Sequence, residues 1–77
     1  MKILVTGATG YIGHNLALTL AERGNQVNIL VRNPASANVP QHHNISVFTG
    51  DITNKHSINK AIRDCDQVYH TAALVKL

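Results

Sequence analysis

The fold is decided at the start of the chain, where residues 1–13 read MKILVTGATGYIG. The apolar, β-favouring run from Ile3 to Val5 is short enough to be one buried strand. Three glycines follow, at positions 7, 10 and 13, and the spacing of the apolar residues after them becomes helical. This stretch therefore predicts a strand, a glycine-rich turn and a helix in direct succession.

Each glycine has its own physical role in such a turn. Gly7 allows the chain to turn sharply off the strand, Gly10 has no Cβ and lets a pyrophosphate approach the backbone, and Gly13 lets the helix lie close to its own strand. The free N–H groups at the positive end of the helix, near Tyr11 and Ile12, would bind the phosphates. The pattern predicts a dinucleotide site, although a tight turn that binds nothing could use the same glycines.

Length and composition limit what the chain can form. It has 77 residues, of which 44% are apolar and 14% are charged. This is a globular composition, and a chain of this length makes one small domain. A doubly wound nucleotide-binding domain needs about six strands, whereas there is room here for about four. We therefore expect residues 1–77 to be the N-terminal dinucleotide-binding segment of a doubly wound fold, without a second domain.

Charge, cysteine and histidine usage exclude several classes of function. The net charge is +3 and the seven Lys and Arg residues are scattered, which disfavours nucleic-acid binding but suits an anionic cofactor. The single cysteine, Cys65, excludes an internal disulfide, fits a reducing compartment and is expected to be a buried packing residue. No signal peptide or membrane span is recognisable, so we expect a cytoplasmic protein. The five histidines form no set with metal-ligand spacing, and no metal site is predicted.

The apolar pattern predicts four strands and two main helices. The predicted strands are 2–6, 27–31, 45–49 and 68–72, and the predicted helices are 11–23 and, with Asn54 as its N-cap, 54–63. The first helix is expected to carry Ile12, Leu16 and Leu20 on one apolar stripe and to end at Gly24. Between Pro34 and Pro40 we predict one short helical turn followed by a loop.

The order of these elements predicts the topology. A strand, a helix and a strand within about 30 residues form a right-handed crossover between parallel strands. The second strand is apolar at every position except Asn28, as in a strand that is covered on both faces. The predicted fold class is α/β, a Rossmann-type parallel sheet with strand order 3-2-1-4. A cofactor would lie across the carboxyl ends of the strands, at the switch point between strands one and four.

The residues after the second strand bear on the choice of cofactor. In such folds an acid at this point accepts a hydrogen bond from the 2′-hydroxyl of NAD, whereas an arginine accommodates the 2′-phosphate of NADP. Val31 stands where the acid would be, Arg32 follows it, and no acid lies between Glu22 and Asp51. The sequence therefore favours NADP over NAD as the cofactor. The alternative is that Arg32 is simply a solvated arginine at a strand end.

Two further stretches bear on the same site. Asp51 and Ile52 follow the third strand, and Asp51 could simply open the next turn. The fourth strand continues as VYHTAA over residues 68–73, and the small residues Ala72 and Ala73 would let the ribose of the cofactor lie against the backbone.

The glycine loop, Arg32, Asp51-Ile52 and residues 68–73 together resemble the extended short-chain dehydrogenase/reductase group. That group includes sugar-nucleotide epimerases, dehydratases and dihydroflavonol-reductase-like enzymes, and residues 70–75 resemble the last of these most. The resemblance implies that Asp51 accepts a hydrogen bond from the adenine amine and that Ile52 contacts the adenine ring. The full set of predicted cofactor-binding residues is Gly7, Thr9, Gly10, Tyr11, Ile12, Gly13, Arg32, Asp51, Ile52, Ala72 and Ala73.

The resemblance also implies a reaction, hydride transfer with the tyrosine of a Tyr-x-x-x-Lys pair as the acid/base. Neither tyrosine of this chain has that lysine, because Asn15 stands four residues after Tyr11 and Ala73 four residues after Tyr69. No catalytic residue is therefore predicted. We expect the NAD(P)-binding portion of a longer oxidoreductase or epimerase with a small-molecule substrate, inactive on its own.

Two other functions fit the same residues. A non-catalytic dinucleotide-binding or redox-sensing module would keep the glycine loop and lack the tyrosine pair, as this chain does. A self-associating fragment would form a homo-oligomer through the open edge of the fourth strand.

Overall fold

The computed structural model of the chain describes residues 1–35 and 38–71, in which strands and helices alternate. The elements are β1 (Lys2–Thr6), α1 (Tyr11–Glu22), β2 (Gln26–Val31), β3 (Ile45–Thr49), α2 (Lys55–Ile62) and β4 (Gln67–His70). Each predicted strand and main helix is present, and apart from the end of β4 their ends lie within one residue of the prediction. The predicted helical turn after Pro34 and the predicted end of β4 at Ala72 fall partly or wholly outside the described residues.

The strands form one parallel sheet in the order β3-β2-β1-β4. In this sheet Ile3 of β1 is paired with Val27 of β2 on one side and with Gln67 of β4 on the other, and Val27 is paired with Ile45 of β3. The predicted strand order and the α/β, Rossmann-type class are therefore confirmed. Because all strands are parallel, their carboxyl ends meet at one edge of the sheet.

The sheet is covered on both faces by apolar side chains. One cluster joins residues of β1 and β2 to α1, and its buried members are Ile3, Val5, Ala8, Ala17, Ala21, Val27, Ile29, Val31 and Val39. A second cluster on the opposite face joins Leu4 and Leu30 to Ala61 of α2. Alternate residues of each central strand thus point to different helices, as expected for strands that are buried on both sides.

Helix α1 approaches the sheet through small residues. Its buried positions are Gly13, Ala17 and Ala21, whereas Leu16 and Leu20 are half-buried at the margin of the cluster. Ile12 is 54% exposed, so its predicted place on the buried stripe is wrong. A helix that lies this close to a sheet leaves room beneath it only for glycine and alanine, and the larger apolar residues are displaced to its sides.

The end of α1 follows the prediction. Gly24 has φ +90°, and its backbone N–H donates to the carbonyl of Ala21 at 3.1 Å. The next residue, Asn25, donates from its backbone N–H and from its side-chain amide to the carbonyl of Leu20, at 3.2 and 2.9 Å. These bonds occupy carbonyls that the helix itself leaves without partners. Neither helix of the described ranges has the length and apolar character needed to cross a membrane.

Asn28, the polar residue within the apolar run 27–31 of β2, joins the end of α2 to the sheet. Its side chain is buried, and its amide donates to the carbonyl of Ala61 at 2.8 Å and to the Cys65 sulfur at 3.6 Å. The Ala61 carbonyl belongs to the last turn of α2, where carbonyls lack partners within the helix. Cys65 was predicted to be buried and is half-buried, packed beside this cluster, and burial raises the pKa of its thiol.

Candidate cofactor site

The carboxyl ends of β1, β2 and β3 surround a cavity of about 360 Å³. It lies at the carboxyl edge of the sheet, where parallel α/β folds bind ligands, but beside β2 and β3 and not at the predicted switch point between β1 and β4. Its volume falls within the range of small-molecule sites. We call it the strand-end cavity. Its lining residues are Thr6, Gly7, Thr9, Leu30, Val31, Arg32, Asn33, Gly50 and Ile52.

Two glycines of the motif, Gly7 in the loop after β1 and Gly13 in α1, are required by the geometry of the chain itself. Gly7 has φ +73°, a backbone conformation that favours glycine, and its carbonyl accepts from the Gly10 N–H at 3.0 Å. A Cβ on Gly13 would overlap the Gly7 carbonyl and would lie 2.6 Å from the hydroxyl oxygen of Thr71. The predicted sharp turn at Gly7 and the predicted close packing at Gly13 are both present.

Gly10 differs from its two neighbours in the motif. It is exposed, its φ of −80° and ψ of 162° suit any residue, and a Cβ there would make only an ordinary contact, 3.4 Å from the Gly7 carbonyl oxygen. The folded chain therefore gives no reason of its own for a glycine at this position. The space that the missing Cβ leaves is open to solvent and to a ligand.

The first turn of α1 has the features of an anion-binding site. Its N-cap, Gly10, has no side chain to accept from the free N–H groups, and no acidic residue stands in the first turn. In α2, by contrast, the Asn54 side chain accepts from the N–H groups of His56 and Ser57 at 2.9 and 3.2 Å. Free N–H groups and the positive end of a helix dipole bind phosphate groups.

A second cavity of about 290 Å³ lies beside the start of α1, and we call it the helix-start cavity. Thr9 lines both cavities, so the two are adjacent. Across it, the Nδ1 atom of His14 lies 2.7 Å from the backbone carbonyl oxygen of Asn38. Its lining residues are Thr9, Gly10, Tyr11, His14, Asn15 and Asn38.

Arg32 and Asn33 form the wall of the strand-end cavity that follows β2. Both residues are exposed. The Asn33 side-chain oxygen accepts from the backbone N–H of Ala35 at 3.1 Å, which fixes a turn directly after the strand. Arg32 brings a permanent positive charge to the cavity, whose other lining residues in the described part of the chain are uncharged.

Asp51 lies between Gly50 and Ile52, which both line the strand-end cavity, but Asp51 itself does not line it. One oxygen of its carboxylate accepts from the backbone N–H and from the hydroxyl of Thr53, both at 2.9 Å. These two bonds, and the more distant charge of Arg32, hold the pKa of Asp51 below its ordinary value. Asp51 thus opens the turn before α2, and its predicted contact with adenine stays a prediction.

The carboxyl ends of β1 and β4 are tied together beside the cavity. The Thr6 hydroxyl and the Nδ1 atom of His70 are hydrogen-bonded at 2.5 Å, and the Thr71 hydroxyl donates to the Thr6 carbonyl at 2.6 Å. The switch point between the two strands is therefore closed by side chains. Ala72 and Ala73, predicted to face the ribose, lie outside the described residues.

The structure brings most of the predicted residues into one region. Gly7, Thr9, Arg32 and Ile52 line the strand-end cavity, and Thr9, Gly10 and Tyr11 line the helix-start cavity. Ile12 and Gly13 line neither, because Ile12 points to solvent and Gly13 is packed beneath the loop. The prediction did not include Thr6, His14, Asn15, Leu30, Val31, Asn33, Asn38 and Gly50.

Of the missed residues, Gly50 had a usable signal in the sequence, a glycine directly after an apolar strand. In the structure a Cβ at this position would overlap the Ser57 side chain of α2.

Among the described residues, no three His, Cys, Asp or Glu side chains are grouped to hold a metal ion. The rings of His42 and His43 stack, with their centroids 4.4 Å apart.

A parallel 3-2-1-4 sheet with a glycine loop and a cavity at its carboxyl edge is characteristic of a Rossmann-type fold. Residues 3–77 match the model of the NAD dependent epimerase/dehydratase family, and the chain belongs to that family. The resemblance inferred from the motifs is thereby confirmed.

Individual relatives agree with this assignment. The chain is 40% identical to a 3-beta-hydroxysteroid dehydrogenase of Mycolicibacterium neoaurum, over 99% of this chain and 20% of that protein. It is 36% identical to a dihydroflavonol 4-reductase of Callistephus chinensis, over 91% of this chain and 21% of that protein. The Bordetella bronchiseptica enzyme WbmH, solved in complex with NAD+, is 31% identical with a TM-score of 0.78, over 91% of this chain and 25% of that one. The chain thus spans about a fifth of the length of the curated relatives that it matches.

Proposed function

We propose that this chain binds the adenosine and pyrophosphate portion of a nicotinamide dinucleotide, within an NAD(P)-dependent oxidoreductase or epimerase. The observation that carries the proposal is Gly10, a glycine that the fold does not need, at the uncapped start of α1. A missing Cβ beside free helix N–H groups is what a pyrophosphate requires. The family and the relative that binds NAD+ support the same class of ligand.

The proposed roles follow from where the residues lie. Thr9, which lines both cavities, and the N–H groups of Tyr11 and Ile12 hold the pyrophosphate over Gly10. Gly7 and Gly13 act indirectly, since they give the loop its shape.

The adenosine half occupies the strand-end cavity in this proposal. Ile52 offers an apolar surface to the adenine ring, and the second carboxylate oxygen of Asp51 accepts from its exocyclic amine. We keep the predicted contact of Ala72 and Ala73 with the ribose, which rests on the motif alone. The assignments of Asp51 and Ile52 rest on the motif and on the place of Gly50 and Ile52 in the wall of the cavity.

We propose NADP rather than NAD as the preferred cofactor. Arg32 is exposed at the cavity wall where the adenosine ribose would lie, and a guanidinium group pairs well with a 2′-phosphate. None of the described residues that line the cavity has a carboxylate, which could accept a hydrogen bond from the 2′-hydroxyl of NAD.

When bound, a nicotinamide dinucleotide supplies hydride transfer. The residues of this chain bind and orient it, and we assign none of them to proton transfer at a substrate. We therefore propose that the 77-residue chain is inactive alone and that catalysis and a small-molecule substrate belong to the larger enzyme. A single cysteine fits a reducing compartment, and we propose a cytoplasmic protein without nucleic-acid or membrane partners.

Titration of the purified chain with NADPH and NADH, followed by cofactor fluorescence and by thermal unfolding, tests this proposal. We expect saturable NADPH binding that raises the unfolding temperature, weaker NADH binding, and loss of the difference in Arg32→Gln. The matched control is Arg63→Gln, which removes an equal charge at the exposed end of α2.

The two parts of the proposal fail separately. A folded chain that binds neither cofactor would overturn it as a whole. Preference for NADH, or a preference for NADPH that Arg32→Gln leaves intact, would overturn only the assignment of Arg32 to the 2′-phosphate.

A second property is favoured by the exposure of β4. All four of its residues are exposed, including Val68 at 48% and Tyr69 at 38%, and its outer edge is open in the described part of the chain. An open apolar edge can pair with a second copy. We propose that the chain self-associates there. Sedimentation that depends on concentration in the wild type and not in Val68→Lys would support this, and a monomer at all concentrations would contradict it.

A further inference from the structure

The bond between His14 and Asn38 connects two parts of the site that are far apart in sequence. His14 is half-buried on α1, immediately after Gly13, and its Nδ1 atom lies 2.7 Å from the Asn38 carbonyl oxygen. A carbonyl can only accept, so the hydrogen must be on Nδ1 of the imidazole. The side chain of His14 therefore donates to the backbone of a segment 24 residues away.

That segment leads back to the strand-end cavity. The connection between β2 and β3 begins with Arg32 and Asn33 at the cavity wall and reaches Asn38 at the helix-start cavity. Val39 and Pro40, which follow, are buried. The connection is thus held at its start by β2 and at its far end by the core and by His14.

We infer that His14 is a positioning residue that sets the preference for a 2′-phosphorylated nucleotide. Its hydrogen bond fixes the far end of the connection against α1 and so limits the conformations available to Arg32 at the near end. A group that is already restricted loses less conformational entropy when it pairs with a ligand. This inference rests on the proposed function, and it adds a residue on α1, outside the strand-end cavity, to the determinants of cofactor choice.

The inference is distinct from a purely structural role for the same bond. A structural tie that merely stabilised the fold would change the affinity for all nucleotides together, or for none. A positioning role changes the ratio between two ligands that differ only in the 2′-phosphate, because that phosphate is the group that Arg32 pairs with in the proposed function.

The test uses adenosine 2′,5′-bisphosphate and AMP as probes, with both dissociation constants measured by calorimetry on the purified chain. His14→Phe keeps a ring and removes the donor, whereas His14→Gln keeps a donor. We expect His14→Phe to lower the preference for the bisphosphate roughly three- to tenfold, as for the loss of one ordinary hydrogen bond, and His14→Gln to retain most of it. The control is His56→Phe, the same change at an exposed position of α2.

The outcomes separate the inference from the proposed function. If the wild type prefers the bisphosphate and His14→Phe preserves that preference, or weakens both probes equally, the inference is overturned and the proposed function stands. If the wild type binds neither probe, the proposed function fails and the inference fails with it.

A measurement on the wild type covers the case in which His14→Phe does not fold. Long-range ¹H–¹⁵N spectra of the imidazole report which nitrogen carries the hydrogen. A neutral ring protonated at Nδ1 supports the bond, and a neutral ring protonated only at Nε2 overturns the inference.

Discussion

Gly13 and Thr71 lie so close together that a Cβ on residue 13 would come within 2.6 Å of the Thr71 hydroxyl oxygen. The same hydroxyl donates to the carbonyl of Thr6 at 2.6 Å. One small volume therefore contains the start of α1, the end of β1 and the first residue after β4. Any side chain at position 13 must push these three elements apart.

Gly13→Ala should consequently lower the free energy of unfolding by about 1–3 kcal/mol, the usual cost of overpacking a closely fitted contact. Chemical denaturation measures the change. Gly10→Ala is the matched control, because its Cβ meets only one atom, at 3.4 Å, and its backbone conformation suits alanine. Similar losses in the two variants would show that the helix is not packed as tightly on the loop as described.

Gly10→Val should abolish dinucleotide binding while the helix content stays nearly the same. The added side chain fills the space above the first turn of α1, whereas the backbone at φ −80° accepts a valine without strain. Far-UV circular dichroism and an NADPH titration on the same sample provide the two readouts. Binding that persists in a folded variant would mean that the glycine loop does not hold the pyrophosphate.

The sheet was predicted well from the sequence because each central strand has a recognisable apolar pattern within its own residues. The apolar runs at Ile3 to Val5 and at residues 27–31 are short and rich in β-branched residues, which favours buried strands, and one helix between them predicts a parallel crossover. The exposure of Ile12 could not be predicted in this way. Periodicity identifies apolar residues, but the distance between helix and sheet decides which of them are covered, and here Ala17 and Ala21 set that distance.

The sequence predicted residues of the site only where a local motif links a residue to a group of the ligand. Thr9 and Arg32 were found because a glycine loop and a strand end have known consequences for bound phosphates. His14 and Asn38 were missed, since their meeting depends on the path of the connection after β2, and no local pattern in the sequence encodes that path.

Asn28→Leu should lower the free energy of unfolding by about 1–3 kcal/mol, although the substitution makes residues 27–31 of a central strand uniformly apolar. The amide donor to the Ala61 carbonyl is lost, and that carbonyl keeps only the weaker Cys65 thiol donor, at 3.4 Å. This loss costs more than the added apolar contact returns. Urea denaturation measures the loss, with Asn59→Leu at an exposed position of α2 as the control. A stabilised Asn28→Leu protein would show that the hydrogen bond to Ala61 contributes little.

Asp51 should titrate below the ordinary pKa of an aspartate, because the backbone N–H and then the hydroxyl of Thr53 stabilise its charged form. A lowered folded-state pKa adds stability above the pKa of the unfolded chain, and this stability is lost as the pH falls through the folded-state value. Carboxyl ¹³C shifts measured against pH give the pKa directly. In Thr53→Val the pKa should rise only in part, since the backbone donor remains. A full return to the ordinary value would identify the hydroxyl as the main cause.

The tie between Thr6 and His70 joins residues 64 positions apart, nearly the full length of the chain. Contacts of such long range make folding slow, because most of the chain must be confined before they form. During synthesis at about 5–20 residues per second, roughly 3–13 s separate the appearance of Thr6 from that of His70. Until then β1, a central strand of the sheet, has no partner on its β4 side. The tie that closes the switch point is therefore completed late, after the three strands that surround the strand-end cavity have been synthesised.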